Sequence, residues 1–133
     1  MRTLGQERSE YALKEMLQVV EKVKDKREFA SFASGVPSMI LQNGFGQTLA
    51  FLYSKRKDKQ EDKYTIILII IKNWLEMKKF VDNAEDIKGM ILNISDLNQK
   101  KYLAAQKETL SLLEWVKRYA QAFKEESKND TGS

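Results

Sequence analysis

The sequence predicts an all-α fold: a compact single-domain bundle of about six helices, the first and last of them long. Three observations carry this. Apolar residues recur at three- and four-residue spacing along the chain, the period of a helix with one buried face. The run richest in β-branched residues, Tyr64 to Leu75, has no second strand candidate to pair with, and a lone strand leaves its backbone polar groups unsatisfied. Pro37, Gly44 and Gly46 fall at helix-boundary spacing.

A first helix is expected over 5–26. Ala12, Met16, Val19 and Val23 repeat on one face, and Glu10, Lys14, Gln18, Glu21 and Asp25 lie opposite. Residues 27–35 continue as a second helical piece built on Phe29, Phe32 and Ala33, which Gly35-Val36-Pro37 is expected to interrupt or kink. Residues 37–43 form the next turns. Asn43-Gly44-Phe45-Gly46 reads as a helix stop followed at once by a helix start, with glycine supplying a left-handed backbone. The helix after this corner covers 45–56 and runs out into Lys55-Arg56-Lys57.

Residues 57–63 are charged or polar and make an exposed connection, in which Asp58 and Glu61 resemble a capping box with a helix starting near 59. The Tyr64–Leu75 run is read as a helix buried on most sides. A short helix over 83–94 is capped by Asp82 or Asn83. A long last helix spans 96–125, with a seam of Tyr102, Ala105, Thr109, Leu112, Leu113, Val116, Ala120 and Phe123. The domain is thus expected to occupy 1–125, and the polar tail 126–133 to be disordered.

Composition narrows the function. The 133 residues contain no cysteine and no histidine, which removes thiolate chemistry, the commonest general base and the commonest metal ligand. No cofactor, metal or small-molecule substrate is expected, and the chain does not read as an enzyme. Gly44-Phe45-Gly46 lacks the Gly-Lys-Ser/Thr of a phosphate-cradling loop. Glu85-Asp86 and Glu125-Glu126 sit at helix ends without an apolar pocket signal. The N-terminus has no apolar signal-peptide core, and Ile66–Ile71 is far too short to cross a bilayer, so a cytoplasmic protein without membrane partners is expected. Trp74, Trp115, Tyr102 and Phe51 lie on apolar faces and read as core, since a base-stacking role needs an exposed ring.

The 23 basic and 19 acidic residues give a net charge of +4, compatible with an anionic partner. Basic residues cluster at helix ends: Lys55, Arg56 and Lys59 after the corner helix; Lys117 and Arg118 late in the last; Lys22, Lys26 and Arg27 around the end of the first. Helix dipoles and solubility account for part of each cluster. Contact with RNA phosphates is the functional reading, and these eight residues are its candidates.

In its order of motifs the chain resembles the small α-helical subunit of the type III-B CRISPR–Cas effector, the Cmr complex. The resemblance rests on Pro37-x-Met-Ile-x-x-Asn-Gly44-Phe-x-Gln47-Thr-Leu-Ala-Phe51 with Lys55, on Tyr64 and Trp74-Leu75, and on Leu112-Leu113-x-Trp115-x-Lys117-Arg118. Phe45 stands where the family pattern leads one to expect Leu. The resemblance implies a non-catalytic subunit in antiviral defence. Copies of it would stack side by side along the other subunits of the effector and line the groove that holds guide RNA and target RNA. Two rivals remain: a purely architectural subunit that touches only protein, and a small Asp/Glu-dependent nuclease.

Overall fold

The computed structural model describes residues 1–126, which form six α-helices and, among the described residues, no strand. The helices are α1 (Leu4–Lys22), α2 (Lys26–Asn43), α3 (Phe45–Lys55), α4 (Lys63–Met77), α5 (Ile87–Ser95) and α6 (Gln99–Phe123). Beyond Glu126, the expected disordered tail lies outside the described residues.

Each helix but α3 starts on a side-chain cap. Thr3 and Gln6 form a reciprocal capping box on α1, and Asp25, Asp62, Asp86 and Asn98 cap α2, α4, α5 and α6. The helix expected to start near 59 begins at Lys63 instead. Asp58 lies in the connection with φ 54, and Asp62 does the capping through the N–H and hydroxyl of Thr65, at 2.9 and 2.7 Å. The short helix likewise starts later than expected, at Ile87, with Asp86 as its cap.

Pro37 does not break α2, which is continuous through it. The ring is buried, and that burial offsets part of the cost of the lost backbone bond. The corner itself is as expected: Gly44 closes α2 by donating to the Ile40 carbonyl at 2.8 Å and has φ 89. Its ψ of 159 is not that of a left-handed helix residue; the pair belongs to a region populated essentially by glycine alone. With no side-chain cap available, the start of α3 borrows one from far along the chain: the Gly46 N–H donates to the Tyr102 hydroxyl at 2.7 Å. A β-carbon at Gly46 would meet that oxygen at 3.2 Å.

The longest helix, α6, is the axis of the fold, and α1 and α2 make their most extensive packing against it. Its inner face is the expected seam: Ala105, Thr109, Leu112, Leu113, Val116 and Ala120 are buried, and Tyr102 and Phe123 half-buried. The Tyr64–Leu75 run is helical, with Ile67, Leu68, Ile70, Ile71, Trp74 and Leu75 all at most 2% exposed. Helix propensity is poor in this run, and burial on most sides overrides it.

Among the described residues, one charged group lies inside. Glu108 is on the seam of α6, and its side chain is 4% exposed. It accepts two hydrogen bonds from the Arg8 guanidinium, at 2.7 and 2.8 Å, and one from the Trp74 indole N–H at 2.8 Å. The carboxylate therefore ties α1, α4 and α6 together. The same hydrogen bonds hold the Arg8 guanidinium above its ordinary pKa. Around this hub the Tyr11 ring packs on Trp74 with centroids 4.9 Å apart, and its hydroxyl donates to the Ile70 carbonyl at 2.8 Å.

Candidate nucleic-acid interface

Seven of the eight basic candidates fall into two regions. Lys55, Arg56 and Lys59 sit where α3 ends and the exposed connection begins. Lys59 lines two clefts there, one on each side of the connection. The larger, about 620 Å³, runs between the end of α3, the outer face of α4 and the start of α5. Its cations are Arg56, Lys59, Lys72 and Lys88, and Asp58, Glu85 and Asp86 also line it. The second, about 480 Å³, faces the α1–α2 corner and gathers Lys24, Lys57, Lys59 and Lys63 among Asp25, Glu28, Glu61 and Asp62. Basic side chains distant in sequence thus meet at one end of the bundle, and acids are interspersed among them.

The candidates are not equally available. Lys55 and Lys59 are exposed. The Arg56 guanidinium is committed within the fold: it donates to the Tyr53 carbonyl at 2.9 Å and to Asp58 at 3.0 Å, and lies over the Tyr53 ring at 3.6 Å. Lys63, not singled out from the sequence, pairs with Glu28 at 3.5 Å and lies 5.4 Å from the Phe32 and Tyr64 rings. Lys72 pairs with Glu76 at 3.1 Å. The connection is pinned by Asp62, which also accepts from the Lys57 N–H at 3.1 Å. Partial burial pushes the Asp62 carboxyl up, but hydrogen bonds from Thr65 and Lys57 outweigh it and leave the carboxyl below its ordinary range.

The second region is the far end of α6. The Lys26 ammonium donates to the Glu126 carbonyl, and Arg27 pairs with Glu125 at 2.5 Å. Lys22 belongs to neither region by contact: it is exposed at the end of α1, two residues before Lys24 of the second cleft. Arg118 is exposed and Lys117 half-buried on α6, and neither lines the clefts around Lys59. The structure thus brings Arg56 and Lys59 together with Lys24, Lys57, Lys63, Lys72 and Lys88; Lys55 is exposed next to Arg56 in sequence but lines neither cleft, and Lys117 and Arg118 lie apart.

One aromatic expected in the core is not there. Phe51 on α3 is 43% exposed, one turn before Lys55, whose ammonium is 5.8 Å from the ring centroid. Trp74 is buried as expected, and Trp115 and Tyr102 are half-buried. Among the described residues no cluster of three or more Asp, Glu, His or Cys side chains could hold a metal ion, and no helix is long and apolar enough to cross a membrane.

The family model for the CRISPR-associated protein Cas_Cmr5 matches residues 4–123, from the first turn of α1 to the last of α6. The chain belongs to the Cmr5 family. It is 29% identical over 136 residues to the CRISPR system Cmr subunit Cmr5 of Thermotoga maritima, covering 98% of this chain and 92% of that protein. The fold matches the crystal structure of a CRISPR-associated Cmr5 family protein from Thermus thermophilus. That match has a TM-score of 0.73 at 24% identity and covers 92% of this chain and 97% of the other. The likeness to the small Cmr subunit carried by the Pro37–Lys55 and Trp115–Arg118 segments is therefore borne out, as is the all-α fold of six helices.

Proposed function

We propose that this Cmr5-family protein is a non-catalytic small subunit of a cytoplasmic type III-B CRISPR interference complex. In this reading it stacks against copies of itself and neighbouring subunits, and it holds guide RNA and target RNA by their phosphates. The observation that carries RNA contact is the meeting of basic side chains from the α1–α2 corner, the end of α3, the connection, α4 and α5 around Lys59. Lysines on a rigid helical frame suit sequence-independent contact with a phosphate backbone. Lys59, exposed and lining both clefts, is the strongest of the eight candidates, with exposed Lys55 beside it at the end of α3, whereas Arg56, Lys26 and Arg27 already have partners within the chain. Stacking is supported by large apolar side chains left on the surface, among them Leu41 and Leu92 at 71% and 66% exposure.

The test is RNA retention by the reconstituted complex across a salt series. Lys55→Ala with Lys59→Ala should weaken retention and flatten the slope of log K against log salt by about 0.7 for each single-strand phosphate no longer neutralised. Lys117→Ala with Arg118→Ala is the second arm. An unchanged slope in both would leave the purely architectural reading, in which the exposed leucines meet neighbouring subunits and no residue meets RNA. Incubating the protein with labelled RNA and magnesium should give no cleavage; cleavage would favour the nuclease instead.

A further inference from the structure

The face of α3 that continues from Lys55 carries a second kind of chemistry. Gln47, Phe51 and Lys55 follow one another at four-residue intervals, which places them on one stripe of the helix, about 6 Å apart along its axis. Gln47, Thr48 and Phe51 line a groove of about 340 Å³ with Met39 and Asn43 of α2. That volume lies in the range of small-ligand pockets. The lining holds one aromatic ring, one thioether, two side-chain amides and one hydroxyl, and no acid. The hydroxyl is unusual. Buried threonines in helices commonly turn back onto the carbonyl four residues earlier, as Thr109 does onto Ala105 at 2.8 Å. Thr48, 2% exposed, does not: its Oγ1 has no hydrogen-bond partner among the described residues.

We propose that this α2–α3 groove takes one unpaired nucleobase of the bound RNA. The base stacks on Phe51. Its edge meets the Asn43 and Gln47 amides, each of which both donates and accepts, and the Thr48 hydroxyl turns to meet the part that reaches the floor. The adjoining phosphate falls one helical turn away, on Lys55. This rests on the RNA reading above and adds to it a preference for unpaired over paired RNA, because a base inside a duplex offers no free face.

The test uses the full chain and fluorescence anisotropy with a fluorescein-labelled octa-adenylate, beside an oligonucleotide of equal length and charge carrying abasic units. The adenylate should bind about ten-fold or more tightly than the abasic strand. Phe51→Ala should erase that difference without changing the salt slope, and Phe51→Trp should keep it, with indole emission quenched on binding. Lys55→Ala should instead weaken both strands alike. If Phe51→Ala binds both strands as the parent does, the base site is wrong and phosphate contact stands. If the parent binds neither strand, the base site is refuted, and RNA contact is then decided by the salt series on the complex. If Phe51→Ala alters self-association and leaves RNA binding unchanged, the groove holds a neighbouring copy and the proposal fails. Should Phe51→Ala not fold, the abasic comparison on the parent and on Phe51→Trp decides the matter.

Discussion

Replacing Glu108 by leucine tests whether the buried carboxylate is a structural tie. The substitution keeps side-chain bulk and strands three donor groups, two on Arg8 and one on Trp74. Trp74, at 1% exposure, loses the only partner of its indole N–H among the described residues, and an unsatisfied buried donor costs about 1–3 kcal/mol. Arg8 loses both its hydrogen bonds. Removing one partner of a buried pair costs about 3–5 kcal/mol, and the lower end applies because the Arg8 side chain keeps 20% of its exposure and can regain water. Burial of the leucine offsets part of this, leaving a net loss of about 3–4 kcal/mol. For a chain of this size that lowers Tm by about 10–15 °C, read by circular dichroism. The companion is Arg8→Met with Glu108→Leu, which removes both charges and should recover at least about 1.5 kcal/mol relative to the sum of the single changes. A Glu108→Leu variant that loses less than about 1 kcal/mol, or a double variant as unstable as that sum, would refute the tie.

Two further outcomes follow from the backbone and the caps. Gly44→Val should destabilise by about 1–3 kcal/mol, and Gly44→Asn by nearly as much, because φ 89 with ψ 159 lies outside the left-handed helical region that asparagine tolerates. Space is not the cause, since a β-carbon there would meet nothing within 4 Å; an asparagine variant that melts with the parent would disprove the assignment. Asp62→Asn keeps a capping acceptor but loses the charge, and should cost about 0.3–1 kcal/mol at pH 7. The Asp62 carboxyl titrates lower in the fold than in the open chain, so its contribution is complete above the ordinary carboxylate range and is lost as pH falls through the folded value. The gap in Tm between parent and variant should therefore hold from pH 7 to 5 and close below about pH 4; a gap that widens in acid contradicts this.

Helix identity was legible in the sequence wherever an apolar face was long. The α6 seam could be read from spacing, and the buried Tyr64–Leu75 run from the want of a second strand to pair with it, because burial of such faces outweighs local propensity. Starts were harder. Asp58 with Glu61 has capping-box spacing, yet no apolar period begins there, and the effective cap pairs Asp62 with Thr65. Pro37 read as an interruption because its cost is local and its compensation, a buried ring, is tertiary. Glu108 was missed although a signal existed: a lone acid at a seam position, three residues after Ala105 and four before Leu112, requires a buried partner. Arg8 lies 100 residues away, and no local pattern names it. The separation of Lys117 and Arg118 from Lys55 and Lys59 is likewise tertiary, and so is the exposure of Phe51.

The position of the axis helix has a consequence for how the protein is made. The surface against which α1 and α2 pack belongs chiefly to α6, the last of the six to leave the ribosome. Until it emerges, the Ala30 carbonyl and Ser34 hydroxyl of α2 have no Gln121 amide, Arg8 has no carboxylate, and the Gly46 N–H waits for a tyrosine hydroxyl 56 residues downstream. Contacts of such long sequence separation close late. The nascent N-terminal half therefore emerges as amphipathic helices whose faces toward α6 stay uncovered until that helix follows.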